Sequence, residues 1–139
     1  MLHDPARLAD TRAWLVKAGD DLRAADHDRT ADPPLLGDAA FHCQQAVEKA
    51  LKAFLAWHDE PFRKTHNLEE LGQACLALDS SLQPLVDRAV PLTEYAWKFR
   101  YPGEPAQPTV EELHESLAAA RAVLAAVRSR VPPEAGGQR

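Results

Sequence analysis

FHCQQAVEKALKAFLAWHDEPFRKTHNL, residues 41–68, is the stretch whose reading decides the fold. On a helical wheel at about 100° per residue, Cys43, Ala46, Val47, Ala50, Leu51, Phe54 and Trp57 share one face. Gln44, Gln45, Glu48, Lys49 and Lys52 share the opposite one. This division predicts a helix over about 35–58, with its apolar side on a core and its polar back in solvent. Asp59, Glu60 and Pro61 break the pattern. Asn67 then suits the N-cap of a following helix, and Glu70, three residues on, would complete a capping box.

Working outward, residues 5–27 carry Leu8, Leu15, Ala18, Leu22 and Ala25 at helical spacing, with Pro5 suited to the first turn. Pro33, Pro34 and two aspartates make the next stretch a loop. After Asn67, the inner face of the third helix is Leu68, Leu71, Cys75 and Leu78. A fourth segment over 82–100 has Leu82, Val86, Ala89, Leu92, Ala96 and Phe99 inside. Pro91 should kink or split it, because proline removes a hydrogen bond and clashes with the preceding turn. Tyr101-Pro102-Gly103 stops it, and Pro105 and Pro108 hold the next residues extended. The last helix opens on a second capping box, Thr109 with Glu112. Its apolar positions Val110, Leu113, Leu117, Ala120, Leu124, Val127 and Val131 step 3–4–3–4, a seam for a neighbouring helix of the same chain or of a second copy. Residues 1–131 therefore read as a single all-α, up-and-down bundle of about five helices, and 132–139 as a frayed, flexible tail.

Composition narrows the function. The 139 residues are 45 % hydrophobic and 27 % charged, with a net charge of −5. That balance opposes broad, backbone-driven binding of nucleic acid, which needs a basic surface to release counterions, and leaves room only for a local basic patch. The two cysteines, Cys43 and Cys75, lie in apolar helical patterns and read as free buried thiols of a reducing compartment. The N-terminal MLHDPARLAD has neither a basic n-region nor an apolar h-region, and no run has the length and apolarity of a membrane span. A cytoplasmic protein is expected.

The motifs that announce a cofactor are missing: there is no phosphate-binding Walker loop and no glycine-rich dinucleotide fingerprint. Glu111 and His114 form one Glu-x-x-His pair, but the second pair and the inward glutamates of a di-iron bundle are lacking, so no metal and no cofactor are expected. Neither cysteine has zinc-finger spacing, and Cys43 lies on an apolar face that disfavours a thiolate. More suggestive are Gln45, Lys49 and Lys52, stacked at i, i+4, i+7, with Arg63, Lys64, His66 and Arg100 able to approach by tertiary folding. Converging, they would suit a phosphate or a nucleotide. Apart, they are solvated lysines neutralised by Glu48 and Glu70.

Three blocks carry a resemblance: Phe41-His42-x-Gln44-Gln45-Ala46-x-Glu48-Lys49-Ala50-Leu51-Lys52-Ala53, then Lys64-Thr65-His66-Asn67-Leu68, then Phe99-Arg100-Tyr101-Pro102-Gly103. In order and spacing they resemble the HEPN domain family, over about residues 5–128. The resemblance implies a helical bundle, often dimeric, that binds nucleotide or RNA and works with a minimal nucleotidyltransferase in a toxin–antitoxin-like pair. Gln45, Lys49, Lys52, His66 and Arg100 would be its ligand-binding residues. Many members are metal-independent ribonucleases with an Arg-x(4–6)-His motif and a site shared across a dimer. No such spacing exists in this chain, which points away from catalysis. A ribonuclease here would need Arg100 as the cation and His66 as the base. The other alternative is a purely structural interaction module, with Trp14, Trp57, Trp97 and the leucine seam doing the packing.

Overall fold

The structure, a computed structural model, describes residues 3–103 and 107–138. Five α-helices make the bundle: α1 (Pro5–Thr30), α2 (Leu36–Trp57), α3 (Leu68–Leu78), α4 (Gln83–Ala89) and α5 (Val110–Arg128). Short 3-10 turns at Ser80–Leu82, Val90–Ala96 and Pro133–Ala135 join or follow them, and the described residues include no strand. No helix is long and apolar enough to cross a membrane.

Local chemistry sets most boundaries. Asp4 caps α1 by accepting a hydrogen bond from the Ala6 amide at 3.0 Å, with Pro5 in the first turn. The capping box of α5 is complete: Thr109 Oγ1 accepts from the Glu112 amide at 3.0 Å, and Glu112 Oε1 accepts from the Thr109 amide at 2.8 Å. The expected box on α3 is only half formed. Asn67 Oδ1 accepts from the Glu69 and Glu70 amides at 2.9 and 3.2 Å, but the Glu70 carboxylate turns away to grip the Arg63 guanidinium, and Thr65 Oγ1 takes the Asn67 amide instead. Proline splits the fourth segment as its chemistry requires: α4 ends at Ala89 and the chain continues as the 3-10 turn Val90–Ala96, with Pro91 near its start. Of Pro105 and Pro108, expected to hold the following residues extended, Pro108 is buried and Pro105 lies outside the described residues.

Helix α2 is the axis of the bundle, packed by α1, α3, α5 and the Val90–Ala96 turn. Phe54, Leu55, Val47, Leu15, Leu68, Leu71, Leu113 and Val127 fill the core around it. The seam of α5 is spent inside the chain: Leu113, Leu117, Ala120, Leu124 and Val127 are all buried, while Val110 at the near end is exposed. The back of α2 is not solvated, contrary to the expectation from its helical wheel. Gln44, Glu48, Lys52 and Gln45 are 0 %, 4 %, 6 % and 9 % exposed, so the polar face lies inside the protein as well. The C-terminal stretch also differs from the loose tail expected of it. Ala135 is fully buried, Gly136 packs on Leu15 at a positive φ of 98°, and the Gln138 amide donates to the Arg128 carbonyl at 3.0 Å.

Both cysteines are free and buried. Burial pushes each thiol up to about 12, so almost no thiolate is present at neutral pH. The native protein should therefore give no reaction with a thiol-specific disulfide reagent at pH 8, and both cysteines should react once guanidinium unfolds it. Rapid labelling of the folded chain would contradict this burial.

Candidate functional site

The polar face of α2 is buried because partners from other segments meet it, in two separate networks. The first centres on Glu48. Its Oε1 accepts from Gln44 Nε2 at 3.2 Å and from His66 Nδ1 at 2.7 Å, and its Oε2 from Lys52 Nζ at 3.0 Å. A carboxylate offers only acceptors, so His66 Nδ1 carries the hydrogen in this pair. Gln45 Nε2 donates to Gln44 Oε1 at 2.6 Å, and Gln44 reaches the His66 carbonyl. The Lys52 ammonium lies 5.4 Å from the centre of the Trp14 ring and 5.8 Å from that of Phe62, within cation–π range. The side chains of Glu48 and Lys52 are 5 % and 8 % exposed, whereas that of His66 is 65 % exposed. Gln45 and Lys52 thus belong to an internal polar network, and only His66 faces water.

The second network lies toward the start of α2. Asp21, on α1, accepts from Lys49 Nζ at 2.6 Å and from His42 Nδ1 at 2.8 Å. His42 Nε2 faces Asp38 Oδ2 at 3.4 Å, and Arg100 Nη1 lies 3.5 Å from Asp38 Oδ1. The Arg100 guanidinium stacks on Phe41, its carbon 3.6 Å from the ring centre. Asp28, at the end of α1, completes the group. Burial first, and then the neighbouring Asp38 carboxyl, raise its pKa to about 6.

A glycine and a tight turn bring Arg100 here. Phe99 takes a positive φ of 68°, and the Arg100 amide donates to the Trp97 carbonyl at 3.3 Å. The turn docks at the beginning of α2 where Gly37 has no side chain: a Cβ there would stand 3.0 Å from that of Phe99 and 2.9 Å from Gln107 Oε1. Gln107 also repairs the uncapped helix, since its Oε1 accepts from the Gly37 amide at 2.7 Å. Trp97 and Tyr101, on either side of Phe99-Arg100, are 51 % and 67 % exposed.

Of the residues expected to converge, then, Lys49 and Arg100 share the Asp21–His42–Asp38 neighbourhood, while Gln45, Lys52 and His66 share Glu48. Asp38 and Glu48 are ten residues apart on one helix, about 15 Å. Arg63 is held by Glu70, and Lys64 is exposed. His42 is the residue that sequence reasoning passed over. Its i, i+4 spacing from Asp38 was visible in the sequence, but Asp21 comes from another helix and had no sequence signal. A cleft of about 440 Å³ lies elsewhere, between the Val90–Ala96 turn and α5. With Glu94, Glu112 and Glu115 against Arg88 in its walls, it is poorly suited to a phosphate.

The family model of the HEPN domain matches residues 11–130, from the first turns of α1 to beyond the end of α5. The chain belongs to the HEPN domain family. The match takes in both polar networks and the Arg100 turn, and it ties this HEPN domain to a nucleotide- or RNA-related function. No curated protein and no solved structure matches the chain.

Proposed function

We propose that this HEPN domain binds the phosphate of a nucleotide or of RNA at Arg100, as a cytoplasmic homodimer paired with a minimal nucleotidyltransferase in a toxin–antitoxin-like system. The observation that carries the reading is Arg100 itself: a partly exposed guanidinium, braced on Phe41 and flanked in the chain by the exposed rings of Trp97 and Tyr101. Aromatic faces beside an arginine suit stacked bases and the phosphates between them. The 3.5 Å contact with half-exposed Asp38 does not block this. An exposed ion pair is worth about 0–1 kcal/mol, whereas charge-assisted hydrogen bonds from arginine to phosphate are among the strong ones. Lys49 is bonded to Asp21 and makes no direct contact with the ligand in this reading. Arg100 and His66 do not meet within one chain, so the cation–base pair of a ribonuclease would have to come from two copies.

The test is a thermal-shift and calorimetric screen against mono-, di- and triphosphate nucleotides and short RNA. A ligand at a hundred times its Kd should add about 2.7 kcal/mol to stability. Arg100→Ala should weaken that binding about tenfold while moving the melting midpoint by no more than about 2 °C, since the residue is a surface group. Unchanged affinity in the variant would remove Arg100 from the site, and no binding to any of these ligands would end the reading.

A further inference from the structure

We infer that Asp28, Asp38 and His42 form a site for a divalent transition-metal ion of the manganese or zinc kind, where the end of α1 meets the start of α2. One ligand atom of each residue lies within 4.8 Å of those of the other two. His42 Nε2 and Asp38 Oδ2 are 3.4 Å apart with no hydrogen bond between them. Two ligands at ~2.1 Å from a tetrahedral metal are themselves separated by ~3.4 Å, so this pair already has the spacing of a shared ion.

Two observations outside that spacing point the same way. Asp28 Oδ2 is shut off from solvent and has no hydrogen-bond partner among the described residues, and its carboxyl lies against that of Asp38, a costly state that either a shared proton or a bound cation relieves. His42 is also presented as metal-bound histidines are. Its Nδ1–H donates to Asp21, which is buried and in turn pinned by Lys49, so the ring is fixed and the lone pair of Nε2 is turned toward the carboxylates. Charge agrees with geometry: Asp21 and Asp38 pair with Lys49 and Arg100, while among the described residues Asp28 has no lysine or arginine partner and has the imidazoles of His27 and His42 nearby. Two carboxylates and one imidazole are a mixed donor set, which favours manganese or zinc over calcium or magnesium, whose ligands are oxygens. Asp38 is the exposed member of the three and gives an ion access from solvent. The site goes beyond the nucleotide reading and needs no nucleotide to be tested.

The experiment uses the full chain, stripped with EDTA and moved into chelator-free, phosphate-free buffer at pH 7.5. Manganese is titrated by the loss of its free-ion paramagnetic resonance signal, and zinc by calorimetry. One equivalent of either ion should bind, at least tenfold more weakly to Asp28→Asn and to Asp38→Asn. Both substitutions keep side-chain size and relieve the contact of two carboxyl groups, so the variants should stay folded by circular dichroism; were one to unfold, the other would carry the test. Glu111→Gln, on the exposed first turn of α5, should bind like the parent. Absence of saturable binding would overturn the site, as would equal binding by the parent and both aspartate variants, which marks an adventitious ion elsewhere on the surface.

Discussion

Replacing Glu48 with alanine should destabilise the protein by about 3–5 kcal/mol, a fall of roughly 10–20 °C in the melting midpoint. Glu48 is the only carboxylate bonded to Lys52 among the described residues, and both side chains are almost wholly buried. Its removal leaves an ammonium in the interior, opposite the rings of Trp14 and Phe62. Their cation–π attraction, about 0.5–2 kcal/mol, does not offset that desolvation. It also strips an acceptor from Gln44 and from His66. His66→Ala should cost far less, because that ring is mostly in water. Replacing the pair together, Glu48→Leu with Lys52→Met, should recover most of the loss, since it removes both buried charges at once. Urea and thermal unfolding of the four proteins make the comparison. If Glu48→Ala costs less than about 1 kcal/mol, Lys52 reaches water by a route the folded geometry does not provide.

Gly72→Ala should cost about 2 kcal/mol, although alanine is the better helix former by up to about 1 kcal/mol. Gly72 lies in the middle of α3, where it faces Val86 of α4, and a Cβ there would stand 2.6 Å from Val86 Cγ1. The neighbour is a stiff β-branched side chain, itself 3 % exposed, so it has little room to rotate away. Val86→Ala alone should destabilise by leaving a small cavity. In the double variant the two changes should compensate, giving a stability at least 1 kcal/mol above the sum of the single effects. Additive losses would mean that α3 and α4 do not approach each other as closely as the folded structure has them.

Much of the architecture was legible because it rests on local chemistry. Thr109 and Glu112 bond within one turn, Asn67 caps its own helix, and Pro91 removes a backbone donor wherever the rest of the chain goes. The five helices and the three blocks that place the chain in its family all belong to this kind of information. The half-formed box on α3 marks its limit: Glu70 had two possible partners, and Arg63 in the preceding loop won with a bidentate grip that a backbone amide cannot match.

The candidate site was legible only in part. The sequence by itself determined which residues lie on each face of α2, and hence that Gln44, Gln45, Glu48, Lys49 and Lys52 form one polar stripe. Tertiary structure decided what that stripe meets. A helical wheel describes a single helix and assigns its polar side to water. In the folded chain, Asp21 arrives from α1 and His66 from the loop before α3, so hydrogen bonds and opposite charges replace the solvent. The same packing divided residues that sequence reasoning had grouped, because about 15 Å of rigid helix separates Asp38, where Arg100 docks, from Glu48, where His66 docks. Spacing within a helix is set by the covalent chain and can be counted along it. The partners that bury a charge come from distant segments, and only the packing of helices brings them into contact.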